Sequence, residues 1–510
     1  MVDRPQRLEF HEVADWPALA WLARCPKSSP VVSVYHGSRV EVRDDWFCEA
    51  VWDGPFPQGD LDQTDIIAGS GARLREGALV FVSSGSTVDR LQSLETPEAA
   101  WVSNSLACLL ATTDATFDPS FSGQARQLMS IVAGIDRYRR FFPTSRGPVQ
   151  LTYFDNLAWD GRELTLKPKP GEGRDFSTFD RYHAFLQASL QAMAGNMADA
   201  ARKYPYEFLS TASSGYDSAT VTVLAQQAGC TQVLSAEHAR SGESDSGEPL
   251  ARLLGMTSIS MARDAWRSSG LPEVPFIAAD AHGGDVFFKG AEPVLTGKVL
   301  LTGYNGGRIW GKAIHRDESI GRGDHSGVSL TEYRLVVGMI HCPPTFWGVR
   351  QIADVNAISL SPEMAPWDVP RDYSRPICRR IVEGAGVPRE IFGIKKRASW
   401  VTMVKNIGFL SEDSMQSYLG WLRANRAQWL RRGRMPPLLS LDVDRLDLAW
   451  RLKLRRAINS QTGWKRKALQ RSGLWRILGR LHDTPPRLRQ YLFPWAVEHY
   501  RSTYRRPFEG

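Results

Sequence analysis

Apolar residues change their spacing along the chain, and these changes divide it into zones. Residues 1–110 contain stretches such as SPVVSVYHGSRVEV and GALVFVSS, where β-branched residues stand between Gly, Ser and Asp. That arrangement predicts short β-strands joined by turns. From Phe176 to Trp400, short apolar runs (EFLSTA, TQVLSA, KVLLTG) alternate with helix-like segments. This alternation predicts βαβ units and a parallel sheet.

The remaining segments supply the region boundaries. WDGRELTLKPKPGEGRDFSTFD is rich in Gly, Pro and charged residues, as is typical of a linker. From about residue 406 the pattern indicates helices interrupted by Gly and Pro. We therefore predict a β-rich region over 1–170, an α/β region with a parallel sheet over 171–405, and a mostly helical region over 406–510.

Composition is that of an ordinary globular protein. Of 510 residues, 43% are hydrophobic and 23% are charged. No apolar run reaches the length of a membrane-spanning helix, and the N-terminal MVDRPQRLEF lacks the apolar core of a secretory signal. The six cysteines form no CxxC pair, and the ten histidines show no metal-ligand spacing. These features favour a reducing cytoplasm and argue against structural zinc or a disulfide framework.

Charge is unevenly distributed. The whole chain has a net charge of +8, but residues 421–510 carry 21 Lys and Arg against 6 Asp and Glu. This basic tail has a net charge of +15, so the rest of the chain is mildly acidic. The tail predicts contact with an anionic partner or a membrane surface, and hence peripheral membrane association. The alternative is a solvated helical surface with buried tryptophans.

The stretch LSTASSGYDSATVTVLAQ, residues 209–226, carries candidate chemistry. A short apolar run ends in Ser213, Ser214 and Gly215, and a helix-spaced segment follows at once. Unpaired N–H groups and the helix dipole favour an anion at such a helix start. Asp217 offers the hard oxygen ligand that Mg²⁺ prefers, and Ser218 offers a cap or a phosphate donor. A serine-rich cap on a buried helix explains the pattern equally well.

SSGYDS resembles the SGGxDS pyrophosphate loop (PP-loop) of the N-type ATP pyrophosphatases, specifically the asparagine synthetase family, with Ser214 in place of the first family glycine. The resemblance implies an adenine nucleotide α-hydrolase-like parallel-sheet domain that binds ATP and Mg²⁺, with Asp217 as the metal ligand. TQVLSAEHA supplies the second strand, whose end contacts adenine in the family, through Ser235 and Ala236. SDSGEPLARLLGM places Asp245 where the family has an acidic residue.

LLTGYNGGRIWGK, residues 300–312, is similar to the corresponding loop of β-lactam synthetase, a member of this family. Gly303 would then contact the nucleotide, and Tyr304 falls on the tyrosine of that enzyme's catalytic dyad. The family's second Mg²⁺-binding aspartate falls on Gly307 and is missing. Asp280 and Asp285 are candidates to replace it. A glycine-rich turn after a strand is the structural alternative.

SRPICRRIVEGAGVPREIFGIKKRASW resembles the late family segment whose lysine closes the active site. The resemblance places Lys395 on the lysine that stabilises the departing pyrophosphate and the acyl-transfer transition state. Lys396 and Arg397 adjoin it, so a basic surface turn is the alternative.

The N-terminal half resembles the glutaminase domain of these enzymes more loosely, over residues 81–111. Glutamine-hydrolysing members need a cysteine directly after the initiator methionine, because the free α-amine activates its thiolate. Val2 stands at that position. The resemblance therefore implies a degenerate Ntn-hydrolase-like remnant with no glutaminase activity.

The resemblance implies an ATP-dependent, AMP- and pyrophosphate-forming amide-bond ligase. It would adenylate a small-molecule carboxylate and transfer the acyl group to an amine or ammonia, with Lys395 and Tyr304 as catalytic residues. Two alternatives stay open: a degenerate nucleotide-binding scaffold, and a PP-loop enzyme acting on RNA through its basic tail. The lack of a catalytic CxxC or thiol motif argues against nucleic acid as a partner.

Overall fold

The computed structural model describes most of the chain outside the basic tail. The described residues are 6–118, 121, 123–171, 173–238, 243–262, 264–267, 270–313, 320–322, 324–369, 373–393, 401, 410–431, 450 and 489–504.

Thirteen strands form two mainly antiparallel sheets in the described part of residues 6–171. They are β1 (Arg7–Glu12), β2 (Trp21–Pro26), β3 (Val31–His36), β4 (Glu41–Val42), β5 (Trp46–Trp52), β6 (Ile67–Arg75), β7 (Ala78–Val82), β8 (Leu91–Glu95), β9 (Ala99–Ser103), β10 (Phe141–Thr144), β11 (Gly147–Thr152), β12 (Asn156–Trp159) and β13 (Leu164–Lys167). One sheet has the order β1-β3-β2-β9-β8-β11-β10 and the other β13-β12-β7-β6-β5-β4. The predicted β-rich character of this region is confirmed.

The two antiparallel sheets share a core. In β3 every second residue is buried, and Val32 and Val34 point inward, as the alternation VVSVYH dictates. They belong to a cluster with Phe47 and Phe81 of the other sheet. Burying this apolar surface is the main stabilising contribution to the pair of sheets.

The described helices surround these sheets and a third, parallel one. They are α1 (Leu106–Thr112), α2 (Gln124–Met129), α3 (Phe179–Met197), α4 (Tyr216–Gln227), α5 (Glu248–Leu253), α6 (Val274–Asp280), α7 (Glu292–Leu295), α8 (Gly306–Ile309), α9 (Leu330–Val337), α10 (Ile352–Leu360), α11 (Pro376–Gly384), α12 (Glu412–Arg431) and α13 (Leu492–Arg501). Short 3₁₀ turns lie at Phe56–Gln58, Leu61–Gln63, Ser130–Ala133, Ala265–Arg267, Val286–Ala291, Pro344–Phe346, Val349–Gln351 and Pro362–Trp367.

The third sheet is entirely parallel. Its strands are β14 (Glu207–Ala212), β15 (Gln232–Ala236), β16 (Thr257–Met261), β17 (Lys298–Leu301) and β18 (Ile340–Cys342), in the order β16-β15-β14-β17-β18. Helices stand between successive strands along the chain, as parallel pairing requires. The predicted α/β class and parallel sheet are confirmed.

A buried ion pair joins the parallel-sheet region to the antiparallel sheets. Arg334 of α9 contacts Glu49 of β5 at 2.5 Å and Asp89 at 3.1 Å. All three side chains are almost fully buried. Removing one partner of such a pair leaves an uncompensated buried charge, so this contact fixes the two regions against each other.

The described part of the tail is helical, as predicted. In α13, Trp495 is fully buried and Tyr500 is nearly so, so this end of the chain packs into the core. Most of residues 421–510, and therefore most of the basic charge, lies outside the described residues. None of the helices that the structure describes is long and apolar enough to cross a membrane.

Candidate functional site

The strand order of the parallel sheet reverses between the neighbouring strands β14 and β17. β15 and β16 lie beyond β14, whereas β18 lies beyond β17. In open α/β sheets, ligands bind outside the carboxyl ends of the strands at such a reversal. The carboxyl end of β14 leads into Ser213–Gly215, and that of β17 leads into residues 302–305. The topology therefore marks the same two segments that the sequence singles out.

The segment after β14 turns directly into α4, as predicted. Ser214 Oγ donates to Asp245 Oδ1 at 2.6 Å, and Ser213 Oγ accepts the Gly215 N–H at 3.2 Å. The hydroxyls of Ser213 and Ser218 are bonded to each other at 2.6 Å. No side chain caps α4 at Gly215, so the first-turn N–H groups are available to an anion.

Asp217, in the first turn of α4, forms an ion pair with Arg375. The Arg375 side chain is 8% exposed and that of Asp217 is 25% exposed. A Cβ added at Gly307 would lie 2.7 Å from Arg375 Nη2. The guanidinium therefore fills the space that a side chain at position 307 would need, and a larger residue there would displace it.

Two further glycines let the segment after β17 contact the start of α4. A Cβ at Gly303 would lie 2.6 Å from the carbonyl carbon of Asp217 and 2.7 Å from the Ser218 nitrogen. A Cβ at Gly306 would lie 2.7 Å from Asp217 Cγ. Only glycine permits so close an approach of the backbone. The two predicted motifs, separate in sequence, thus form one surface.

Tyr304 has an acidic partner that its sequence context does not identify. Its hydroxyl donates to Asp285 Oδ1 at 3.0 Å. Asp285 Oδ2 accepts the Gly327 N–H at 2.9 Å and the Ser329 hydroxyl at 2.6 Å. Asp285 is fully buried. Neutral donors thus occupy both oxygens of the Asp285 carboxylate, and its suggested role as a replacement metal ligand stays a prediction.

Burial sets the protonation of this pair. It raises the pKa of Asp285 to about 6, and hydrogen bonds from Ser329 and Tyr304 oppose that rise. Burial and the neighbouring Asp285 carboxylate raise the pKa of Tyr304 well above its usual value. At neutral pH the proton therefore stays on Tyr304 and Asp285 is ionised, so the carboxylate is the proton acceptor of the resting pair.

Ser235 and Ala236 end the neighbouring strand β15. Ser235 is buried, and its hydroxyl accepts the Gly247 N–H at 2.7 Å. Ser235 also lines a cavity of about 280 Å³ together with Ser246, Glu248, Arg252, Met256, Ser258 and Ser260. Of the two predicted adenine-contacting residues, Ser235 therefore lines this open cavity.

Lys395 and Val2 lie outside the described residues. Gly393, two positions before Lys395 in the sequence, donates its N–H to the Ser214 carbonyl at 2.8 Å. A Cβ at Gly393 would collide with the Tyr216 ring. The late segment therefore reaches the loop after β14 at Gly393.

Asp217 is the candidate Mg²⁺ ligand at this edge, and its carboxylate already pairs with the Arg375 guanidinium. Mg²⁺ in nucleotide sites is usually held by one or two carboxylates together with phosphates and waters. Asp217 offers a carboxylate, and Gly307 offers none. Asp280 Oδ1 accepts the N–H groups of His282 and Gly283 at 2.7 and 2.8 Å. The donor set is therefore a single carboxylate beside a guanidinium.

Sequence reasoning missed Arg375, and no local signal marks it. It precedes α11, where SRPICRR shows only a helix start after a proline. Its partner Asp217 is 158 positions away.

No protein-family model matches the chain, and a search of curated proteins finds no match.

Proposed function

We propose that this protein is an ATP-dependent ligase that adenylates a carboxylate, releases pyrophosphate and passes the acyl group to an amine. The observation that carries the proposal is that two chemically different sets of side chains lie where the strand order of the parallel sheet reverses. The uncapped start of α4 with Asp217 and Arg375 suits phosphates, and the Tyr304–Asp285 pair suits proton transfer.

The phosphate side supports the first half-reaction. A carboxylate oxygen attacks the α-phosphorus of ATP, and the bond to the β-phosphate oxygen breaks. The N–H groups of α4 orient the phosphates, and the Arg375 guanidinium offsets charge that grows on the leaving pyrophosphate. Mg²⁺, when bound, supplies further neutralisation of phosphate charge, and Asp217 is the residue that would hold it. Lys395 supplies another cation in this proposal.

The tyrosine side supports the second half-reaction. An amine nitrogen attacks the acyl carbon, and the bond from that carbon to AMP breaks. The amine must lose a proton as it attacks. Tyr304 takes that proton while its own proton passes to Asp285, 3.0 Å away. This relay uses the raised pKa of Asp285 and never requires a free tyrosinate in a buried setting.

A pyrophosphate-release screen tests the proposal. Full-length protein is incubated with MgATP, ammonia or a diamine, and panels of amino acids, sugar acids and peptide carboxylates. We expect release that depends on one class of carboxylate and yields AMP in equal amount. ATP binding with no carboxylate-dependent release would instead favour the nucleotide-binding scaffold. Release stimulated by RNA alone would favour the RNA-directed enzyme.

A further inference from the structure

A second group of chemistry-bearing side chains lies outside the proposed phosphate and amine machinery. Asp280 ends α6, His282 follows in the turn, and His325 comes from the segment before α9. One ligand atom from each residue lies within 4.8 Å of the other two. Among the residues that the structure describes, these three form the one such group of His, Cys, Asp or Glu.

The group contains buried polar atoms that have no hydrogen-bond partner. Asp280 is fully buried, and its Oδ2 meets no donor. His325 is 6% exposed, and its ring nitrogens make no well-formed hydrogen bond, although the Met129 carbonyl lies near the ring. Buried polar atoms left without a partner destabilise the folded protein. Asp280 Oδ2 and one ring nitrogen of His325 are thus buried close together without partners, as is expected where an ion belongs.

The histidine surroundings match those of metal ligands. His282 Nδ1 lies 3.2 Å from the Asp280 carbonyl oxygen, so its N–H can donate there and leave Nε2 as a free ligand atom. The carbonyl of Met129 lies near the His325 ring. Metal-binding histidines typically donate their second ring N–H to a carbonyl, which fixes the tautomer. The two rings are stacked with centroids 5.1 Å apart.

Backbone conformation builds the turn that presents two of the ligands. Ala281 has φ +67° and Gly283 has φ +62°, so both adopt the left-handed region. A non-glycine residue adopts this region only when its surroundings compensate for the strain. Here the strain reverses the chain after α6, so that Asp280 and His282 face His325. The Asp-x-His spacing was the available sequence signal, and sequence reasoning did not use it.

Nearby cations oppose metal binding, but they are already engaged. Arg90 and Arg322 both lie close enough to Asp280 to act on its charge. Arg90 donates to the Ala279 carbonyl, and Arg322 donates to the Thr87 carbonyl. Asp285 also faces Arg322, so two carboxylates oppose the two guanidinium charges near the site.

We propose that Asp280, His282 and His325 bind one divalent transition-metal ion, with Zn²⁺ as the expected ion. Two imidazoles and one carboxylate form a donor set that Zn²⁺ takes with water in the fourth position. Zn–N and Zn–O bonds of about 2.0–2.1 Å place tetrahedral ligand atoms about 3.3 Å apart. The ligand atoms, now within 4.8 Å of one another, would close toward that spacing on binding. His282 is partly exposed and supplies the entry path.

The ion would clamp two segments that also hold Asp285. The turn with Asp280 and His282 continues to Asp285, and the segment with His325 continues to Gly327 and Ser329, which donate to Asp285. The three metal ligands are thus positioning residues for that carboxylate. This proposal does not depend on the ligase assignment, because the clamp forms whether or not ATP is a substrate.

Metal analysis of the full-length protein tests the site. The protein is stripped with a chelator, dialysed, checked for native circular dichroism, and titrated with Zn²⁺ against a chromophoric chelator. We expect one Zn²⁺ per chain, a higher melting temperature with Zn²⁺, and a tetrahedral Co²⁺ absorption band in the Co²⁺-loaded protein.

Variants separate the site from adventitious binding. His282→Gln and the isosteric Asp280→Asn should each weaken Zn²⁺ binding by at least about 100-fold, the upper range for loss of even an outer-shell partner. His183→Gln is the matched control, because His183 Nε2 is also without a partner but belongs to no such cluster. It should bind Zn²⁺ like the parent. Natively folded parent protein without saturable Zn²⁺ binding, or equal binding by all variants, would overturn the proposal.

Discussion

Two aspartates near the same edge of the parallel sheet have opposite surroundings. Asp217 is partly exposed and pairs with a guanidinium, whereas Asp285 is fully buried among neutral hydroxyl and N–H donors. A neighbouring cation favours the ionised carboxylate, whereas burial raises the pKa of Asp285 to about 6 and favours proton uptake closer to neutral pH. The difference teaches that one carboxylate is suited to cations and phosphates, and the other to accepting a proton.

The largest effect is expected at Asp217. Asp217→Asn removes the proposed Mg²⁺ ligand and leaves Arg375 without its ion-pair partner, so pyrophosphate release should fall by at least about 10³-fold. Steady-state pyrophosphate assays measure it. Asp65→Asn is the matched control, because Asp65 also pairs with an arginine, Arg174, away from the sheet edge. An Asp217→Asn enzyme as active as this control would contradict the phosphate role.

Lys395, which lies outside the described part of the chain, is also proposed to act on the phosphates. Lys395→Ala should lower turnover by about 10²–10³-fold, or ~3–4 kcal/mol, because its charge acts on a departing pyrophosphate. ATP affinity should change far less, since the interaction grows only as the bond breaks. Lys396→Ala is the control and should be nearly neutral. Equal behaviour of the two variants would make Lys395 an ordinary surface charge.

Substitutions of Tyr304 and Asp285 should impair a different step, which is amide formation. Tyr304→Phe and Asp285→Asn should each slow amide formation by about 10²-fold, the lower range for loss of general-base catalysis. Product formation from a fixed amine, followed by mass spectrometry, measures the loss. Tyr333→Phe is the control, because Tyr333 also donates to a carboxylate, Glu292, but lies on α9. A Tyr304→Phe enzyme that forms product like this control would rule out the relay.

The pH dependence of amine transfer tests the role that distinguishes Asp285 from Asp217. Burial raises the pKa of Asp285 to about 6, and only the ionised form accepts a proton. Amine transfer should therefore rise with pH through an apparent pKa near 6 and level off above it. Asp285→Asn should lack this rising limb and retain a slow, flatter profile. An unchanged limb in that variant would assign the titration to another group.

The smallest effect is expected at Gly307. Gly307→Ala places a Cβ 2.7 Å from Arg375 Nη2 and displaces the guanidinium. Pyrophosphate release should fall about tenfold, or ~1.4 kcal/mol. Gly195→Ala, in α3, meets no atom within 4 Å and is the control. Equal rates would show that the position of Arg375 does not matter.

Local patterns were sufficient to predict the elements that carry the phosphate side. The run ending at Ala212 is β14, and the segment from Tyr216 is α4, because strand and helix periodicity are properties of a few adjacent residues. The parallel sheet followed from the alternation of apolar runs and helix-like segments. The three-region division and the PP-loop assignment stay predictions.

The contacts between loops could not be predicted in this way. Asp285 meets Tyr304, and Arg375 meets Asp217, only because the ends of different strands converge at one edge. Residue spacing within one segment holds no information about contacts between residues of different segments. The same reason explains why His325 was not connected with Asp280 and His282.

Two assays together test the central claim, which is that Asp217 acts in carboxylate activation and Asp285 acts in amine transfer. ATP–pyrophosphate exchange reports carboxylate activation alone, and amide formation reports both steps. We predict that Asp217→Asn loses exchange and amide formation together, whereas Asp285→Asn keeps exchange near the parent rate and loses only amide formation. Loss of exchange in both variants, or in neither, would contradict the account.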